Sequence, residues 1–358
     1  MIKLILCTAL RIFIGFAPGL VLVSCSSSPM EFHYLTASDY KNPVWPAPPE
    51  QPHFMYVGQL KGEDNLRPVT AGNHARMDTA IRWITGLGFS RDAKVTLVRP
   101  QCGAVGPNGR IFITDVGNNS IFVFDPINGV LDVWKDADWS TPFISPIGIV
   151  ALPDGRVLVA DSGAGFIYVL DSTGAPLSKI GEHILKRPTG LAFDIKAGEI
   201  YVADTEAQDI KVFDLYGQLV RTIGSPGTGN GEFNRPSYLA FKSGKLYVTD
   251  TLNARIQVFS SSGDFLSNVG GRGLYVGNLT HPKGVAVDSD ENIYVIESFY
   301  DYLLIFNPQG KYLMPIGGSG QKPGKFFLPA GIWIDGGDRI YIADMFNARV
   351  MVFQYLGG

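Results

Sequence analysis

Four basic residues recur at one place in a repeated phrase of this chain. Arg99, Arg187, Arg235 and His281 each stand immediately before a proline, and Ser145 and Leu328 fill the same place in the other two copies. Guanidinium and imidazole groups gathered at one opening would focus positive potential over a low-dielectric mouth and attract a carboxylate, phosphate or sulfated ligand. The competing reading is that each group hydrogen-bonds the neighbouring repeat. A second set is acidic: Asp115, Asp161, Asp204, Asp250, Glu297 and Asp344 each close the second apolar run of a copy. Metal ligands must converge at short range, and acids carried by six separate units are spread around a ring. They are therefore read as a structural acid ring accepting backbone N–H groups in the turn that follows, and no metal ligand is assigned. The run DSDEN at 288–292 begins like a calcium loop, but Ile293 stands where such a loop needs glycine and Phe299 where it needs glutamate, so it is read as a hairpin turn.

No catalytic residue is assigned. Of five histidines, only His281 falls at the expected mouth. No G-x-S-x-G nucleophile elbow occurs. Cys102 beside Arg99 is either a nucleophile or, as the favoured reading, a packed and inert thiol. The glycine-rich stretches at 224–233 and 317–327 lack phosphate-loop spacing, since Gly324 and Lys325 are followed by Phe326 where Ser or Thr would be needed. Phe233 and Phe326 in these stretches are expected to wedge between neighbouring units. No cofactor is expected.

The elements that must position these side chains follow from the repeat itself. Pro100, Pro146, Pro188, Pro236, Pro282 and Pro329 are separated by 46, 42, 48, 46 and 47 residues. Each copy continues with apolar runs rich in β-branched and aromatic residues, such as KLYVTD at 245–250 and RIQVFS at 255–260, which suit pleated strands and have no helical period. A repeat of this length made of short strands predicts an all-β, six-bladed propeller. The sixth copy supplies three strands where a blade needs four. HFMYVGQL at 53–60 carries the signature of the fourth strands and is expected to complete the last blade beside the C-terminal strand, removing an open edge. One helical insertion is expected at 73–86, with Asn73 as cap, apolar residues at helical spacing and Gly86 as terminator. It would lie on the same face as the prolines and acids, as would the exposed aromatics Phe299, Tyr300 and Phe346.

The phrases RPTGLAF, EIYVADTEAQDIKVFD and YGQLVRTIGSPGTGNGEFNRP at 187–236 resemble NHL repeats, as do RPSYLAF, KLYVTDTLNARIQVFS and RIYIADMFNARVMVF. The resemblance covers about residues 99–354 and is weakest in the first and fifth copies. It implies a six-bladed scaffold that hosts lyases, lactonase-like hydrolases, sensor domains and RNA readers, so it does not fix function. The NHL-like amidating lyases hold zinc with several channel histidines. The matching positions here are Cys102, Gly148, Gly190, Tyr238, Gly284 and Gly331, which cannot make that site. Tyr238 and Tyr300 join Arg99, Arg187, Arg235 and His281 as candidate ligand-binding residues.

At the other end, Lys3 and Arg11 flank a short apolar stretch at 12–23 that ends in Leu22, Val23, Ser24 and Cys25. This resembles a bacterial lipoprotein signal, which implies removal of residues 1–24, lipidation of Cys25 and, given Ser26, sorting to the outer membrane with the propeller facing the periplasm or the surface. Residues 25–52, rich in Ser and Pro, are expected to form an extended tether ahead of a propeller over 53–358. Removal of Lys3 and Arg11 takes the chain from 30 to 28 basic residues against 33 acidic ones, a net charge of −5. That balance argues against a nucleic-acid partner. The expected protein is a monomer, held to a membrane through its lipid, binding a protein or an anionic ligand through the top face; the alternative is a lyase or lactonase-like hydrolase using the channel mouth.

Overall fold

The computed structural model describes residues 29–36, 42–69, 94–138 and 141–357. Cys25 and the expected helix at 73–86 lie outside them. Five antiparallel sheets of four sequential strands begin with the innermost strands Pro100–Val105, Pro146–Ala151, Pro188–Asp194, Pro236–Lys242 and Pro282–Val287, and these are blades one to five. Blade six begins with Ile332–Ile334, continues through Arg339–Asp344 and Arg349–Tyr355, and takes its fourth strand from Phe54–Leu60 at the other end of the sequence. Each innermost strand packs against the next, and that of blade six against that of blade one, so the ring closes. This is a six-bladed β-propeller. Its described helical segments are single 3-10 turns at Glu63–Asn65, Thr251–Asn253 and Met345–Asn347.

The strands are apolar on both faces because each blade is covered on both sides. Six buried clusters result, one at each blade interface. Tyr201 and Val212 of blade three meet Leu239, Leu246 and Phe259 of blade four, and Ile296 and Leu303 of blade five meet Ile340 and Phe353 of blade six. Phe233 and Phe326, both fully buried, sit in these two clusters, where the expected wedges belong.

The segment read as an extended tether departs from that expectation in its described parts. Met30–Phe32 pairs with Leu66–Pro68, Leu35 bridges to Gln59, and Val44–Trp45 adds a fifth strand outside Phe54–Leu60. The reason is local: three aromatic side chains interrupt the Ser and Pro. Phe32 lies edge-on to Phe124, Tyr34 reaches the Tyr341 hydroxyl, and the Trp45 ring lies 5.5 Å from that of Phe353. Burying such rings favours packing over a free tether.

Candidate functional site

The prolines that open the innermost strands pair with the acids that close the second strands, Pro100 with Asp115, Pro188 with Asp204 and Pro282 with Glu297 among them. Both therefore lie on one face, the top. The acids themselves are fully or almost fully buried. Asp115, Asp161, Asp204, Asp250, Glu297 and Asp344 accept hydrogen bonds at 2.6–2.8 Å from the backbone N–H of Val98, Ile144, Lys186, Asn234, Thr280 and Phe327, in every case the residue two before the proline. Several also take N–H groups of the following turn: Asp161 accepts from Ser145, Gly163 and Ala164 as well as Ile144. Each acid thus staples the entry of its blade's first strand to the turn after its second. In blades four and six the second oxygen is occupied by an arginine instead, with Arg255 Nε 2.8 Å from Asp250 and Arg349 Nε 2.7 Å from Asp344. The run at 288–292 is a hairpin turn in which buried Asp288 accepts from Asp290 N, Asn292 N and the Tyr294 hydroxyl.

The pre-proline side chains are not stitched to the acids. It is their backbone N–H that binds, Arg187 N to Asp204 at 2.9 Å and His281 N to Glu297 at 3.0 Å. Arg187 and Arg235 line a cavity of about 400 Å³ at the centre of the top face. Its other walls are Gln101, Ile147, Thr189, Thr205, Ser237, Tyr238 and Lys283, with no acid among them. Of the expected ligand-binding residues, Arg187, Arg235 and Tyr238 are brought together at this mouth. The other three do not line it. Arg99 places its guanidinium over the Phe346 ring at 5.7 Å, His281 is held through its backbone, and Tyr300 lies edge-on to Phe299 on the exposed rim.

Lys283, Gln101, Ser237 and Thr189 were not legible as mouth residues from the pre-proline pattern alone. All stand one residue after the proline, two after the basic position, which in a strand is the same side. The register then shifts: a bulge between the proline and the third residue after it occurs in blades two to five, and a shorter one in blade one. A bulge re-aims side chains, and the next residue of blade four, Tyr238, turns to the axis as well.

At that level four of the six residues are glycines, and backbones of adjacent blades nearly touch. A Cβ on Gly148 would lie 2.1 Å from the Thr189 carbonyl oxygen, and one on Gly331 would lie 2.2 Å from that of Gln101. The remaining two are Tyr238 and Cys102, on opposite blades. The Tyr238 hydroxyl reaches across to Gln101 Oε1 at 3.4 Å, and burial pushes its phenol far above the ordinary range. Cys102 packs below, facing a second cavity of about 350 Å³ that all six innermost strands line. Burial pushes its thiol up to about 11, the direction that goes with a packed thiol rather than an activated one. Burial also lowers the Lys283 amine from its ordinary value.

The NHL repeat family matches residues 97–124 and 185–213, and a family described as 6-bladed beta-propeller matches 234–301 and 287–358. The chain carries NHL repeats on a six-bladed propeller. No curated protein matches it. Among solved structures it is similar to a streptogramin B lyase, with 14% identity over 72% of this chain and 94% of that one and a TM-score of 0.54. It is also similar to virginiamycin B lyase from Staphylococcus aureus, with 17% identity over 72% and 95% and a TM-score of 0.54. A Bacteroides thetaiotaomicron protein of unknown function shares 16% identity over 72% of this chain and 70% of that one, at a TM-score of 0.56. At these identities the likeness is one of fold.

Proposed function

We propose that this propeller is a membrane-anchored, extracytoplasmic binding scaffold that takes an anionic ligand or a carboxylate-bearing protein segment through the mouth of its top face. The observation that carries the reading is the convergence of Arg187, Arg235 and Lys283 on one concave mouth without an acid in its walls. Among the described residues, the largely buried Arg255 and Arg349 are each paired with an acid, whereas the exposed Arg187 and Arg235 and the half-buried Lys283 are not. Cations left unpaired around a concave, low-dielectric opening focus positive potential over it and attract anions. Around the mouth, Leu252, Phe299, Tyr300, Phe327 and Phe346 are exposed on the same face, and aromatic residues with arginine are the composition favoured at protein interfaces. Anchoring is inferred from the signal and Cys25.

Hydrogen–deuterium exchange with citrate as probe tests the location. Added citrate is expected to protect 187–190, 235–238 and 281–284; protection confined to the opposite face contradicts the reading. The likeness to streptogramin B lyases favours, as a second reading, a lyase or lactonase-like hydrolase at the same mouth. Turnover of a bound compound, rather than its release unchanged, distinguishes that reading.

A further inference from the structure

We propose that the mouth also holds a reactive amine: Lys283, lining the same cavity as Arg187 and Arg235, condenses reversibly with the carbonyl group of a small oxo acid whose carboxylate the two guanidiniums hold. The inference rests on the reading of the mouth as an anion site and adds a covalent step to it.

Three observations place the amine. Lys283 lies on the rigid innermost strand Pro282–Val287, with its backbone carbonyl accepting from Thr249 Oγ1 at 2.6 Å, so the base of the side chain is fixed. It is half-buried and, among the described residues, its Nζ has no carboxylate partner, whereas Lys94, Lys179, Lys211 and Lys245 each pair with an acid. The cavity wall instead offers two further cations and the uncharged Gln101, Thr189, Ser237 and Tyr238. Burial disfavours the ammonium form of Lys283 and so favours the neutral, nucleophilic amine.

The step balances without an outside reagent. The neutral Lys283 Nζ attacks the carbonyl carbon, forming the N–C bond as the C–O π bond opens. The carbinolamine then loses the former carbonyl oxygen, with the two protons of the amine, as water. An imine remains and no atom changes oxidation state overall. A carboxylate on the adjacent carbon would rest against Arg187 and Arg235, the planar fork of guanidinium suiting it.

The full chain is incubated with pyruvate and cyanoborohydride and the modified peptides are mapped by mass spectrometry. The reduced adduct is expected on the peptide carrying Lys283, about tenfold above any other lysine, as an amine with a lowered pKa and an adjacent carboxylate site requires. Lys283→Arg removes that adduct, Arg187→Ala reduces it at low pyruvate, and Lys322→Arg leaves it. No adduct, or one spread evenly over the exposed lysines, overturns the proposal. Succinate, which has carboxylates but no ketone, is titrated in parallel by calorimetry. Succinate binding without an adduct overturns the amine alone, and absence of both overturns the anion mouth as well.

Discussion

Tyr238 and Cys102 occupy a repeat position that is otherwise glycine, and they face each other across the ring axis. Glycine is needed there because adjacent backbones approach within the reach of a Cβ. Where the ring allows a side chain, Tyr238 lies across the axis toward Gln101 and separates the cationic mouth above from the cavity that Cys102 lines below. Cys102 accordingly behaves as a buried group. With its thiol at about 11, thiolate at pH 7.5 is about two orders of magnitude scarcer than for an ordinary cysteine. The reactive form is the thiolate, so alkylation of the peptide carrying Cys102 should be slow at neutral pH and should rise as pH approaches 11. Rapid labelling at pH 7.5 in the folded protein would contradict this. At this scale the sequence pattern was informative about residue type and less so about direction. Arg187, Arg235 and Tyr238 reach the mouth, while Arg99 turns out to stack on Phe346, a contact between blades one and six that no spacing within one repeat encodes.

The acid staple is the device that makes each blade's entry reproducible. One fully buried carboxylate accepts from up to four backbone N–H groups, two ahead of the innermost strand and two in a turn, in bonds that are partly buried. Leaving donors unsatisfied costs about 1–3 kcal/mol apiece when they stay buried. Asp161→Ala is therefore expected to lower unfolding free energy by about 3 kcal/mol in a denaturant titration, more than Asp154→Ala, whose carboxylate is exposed and bonded only within its own turn. Equal effects would mean the staple is dispensable. The strands, their order and the closing strand at 53–60 were all legible, because a fixed period and a strand-like pattern recur five times and the missing fourth strand had one apolar candidate. The bulge after the proline was not legible. It depends on how closely neighbouring blades pack, and it turns Tyr238 to the axis beside residues such as Lys283 that strand alternation already places there.

On the scale of the whole molecule, the ring is closed by a strand from its N-terminal side, and the outer edge of that strand is covered in turn by Val44–Trp45 and by Leu35. Among the described residues, both ends of the seam strand's outer edge are thus paired. In its described parts the segment read as a tether is paired with the propeller rather than extended. If Cys25 carries the lipid, Cys25→Ala should abolish incorporation of labelled fatty acid and leave the precursor uncleaved. Equal labelling of the variant would remove the anchor from the account. The seam and the staples leave the centre of the top face as the place where charge is concentrated without being consumed by the fold. The most direct test is the affinity of a dicarboxylate such as succinate, measured by calorimetry on the wild-type chain and on the folded Arg187→Ala, Arg235→Ala double variant. Two charge-assisted contacts to a desolvated anion predict a loss of at least about tenfold, with a weaker salt dependence in the variant. An affinity unchanged in a double variant that keeps the wild-type melting temperature would contradict the mouth as the binding site.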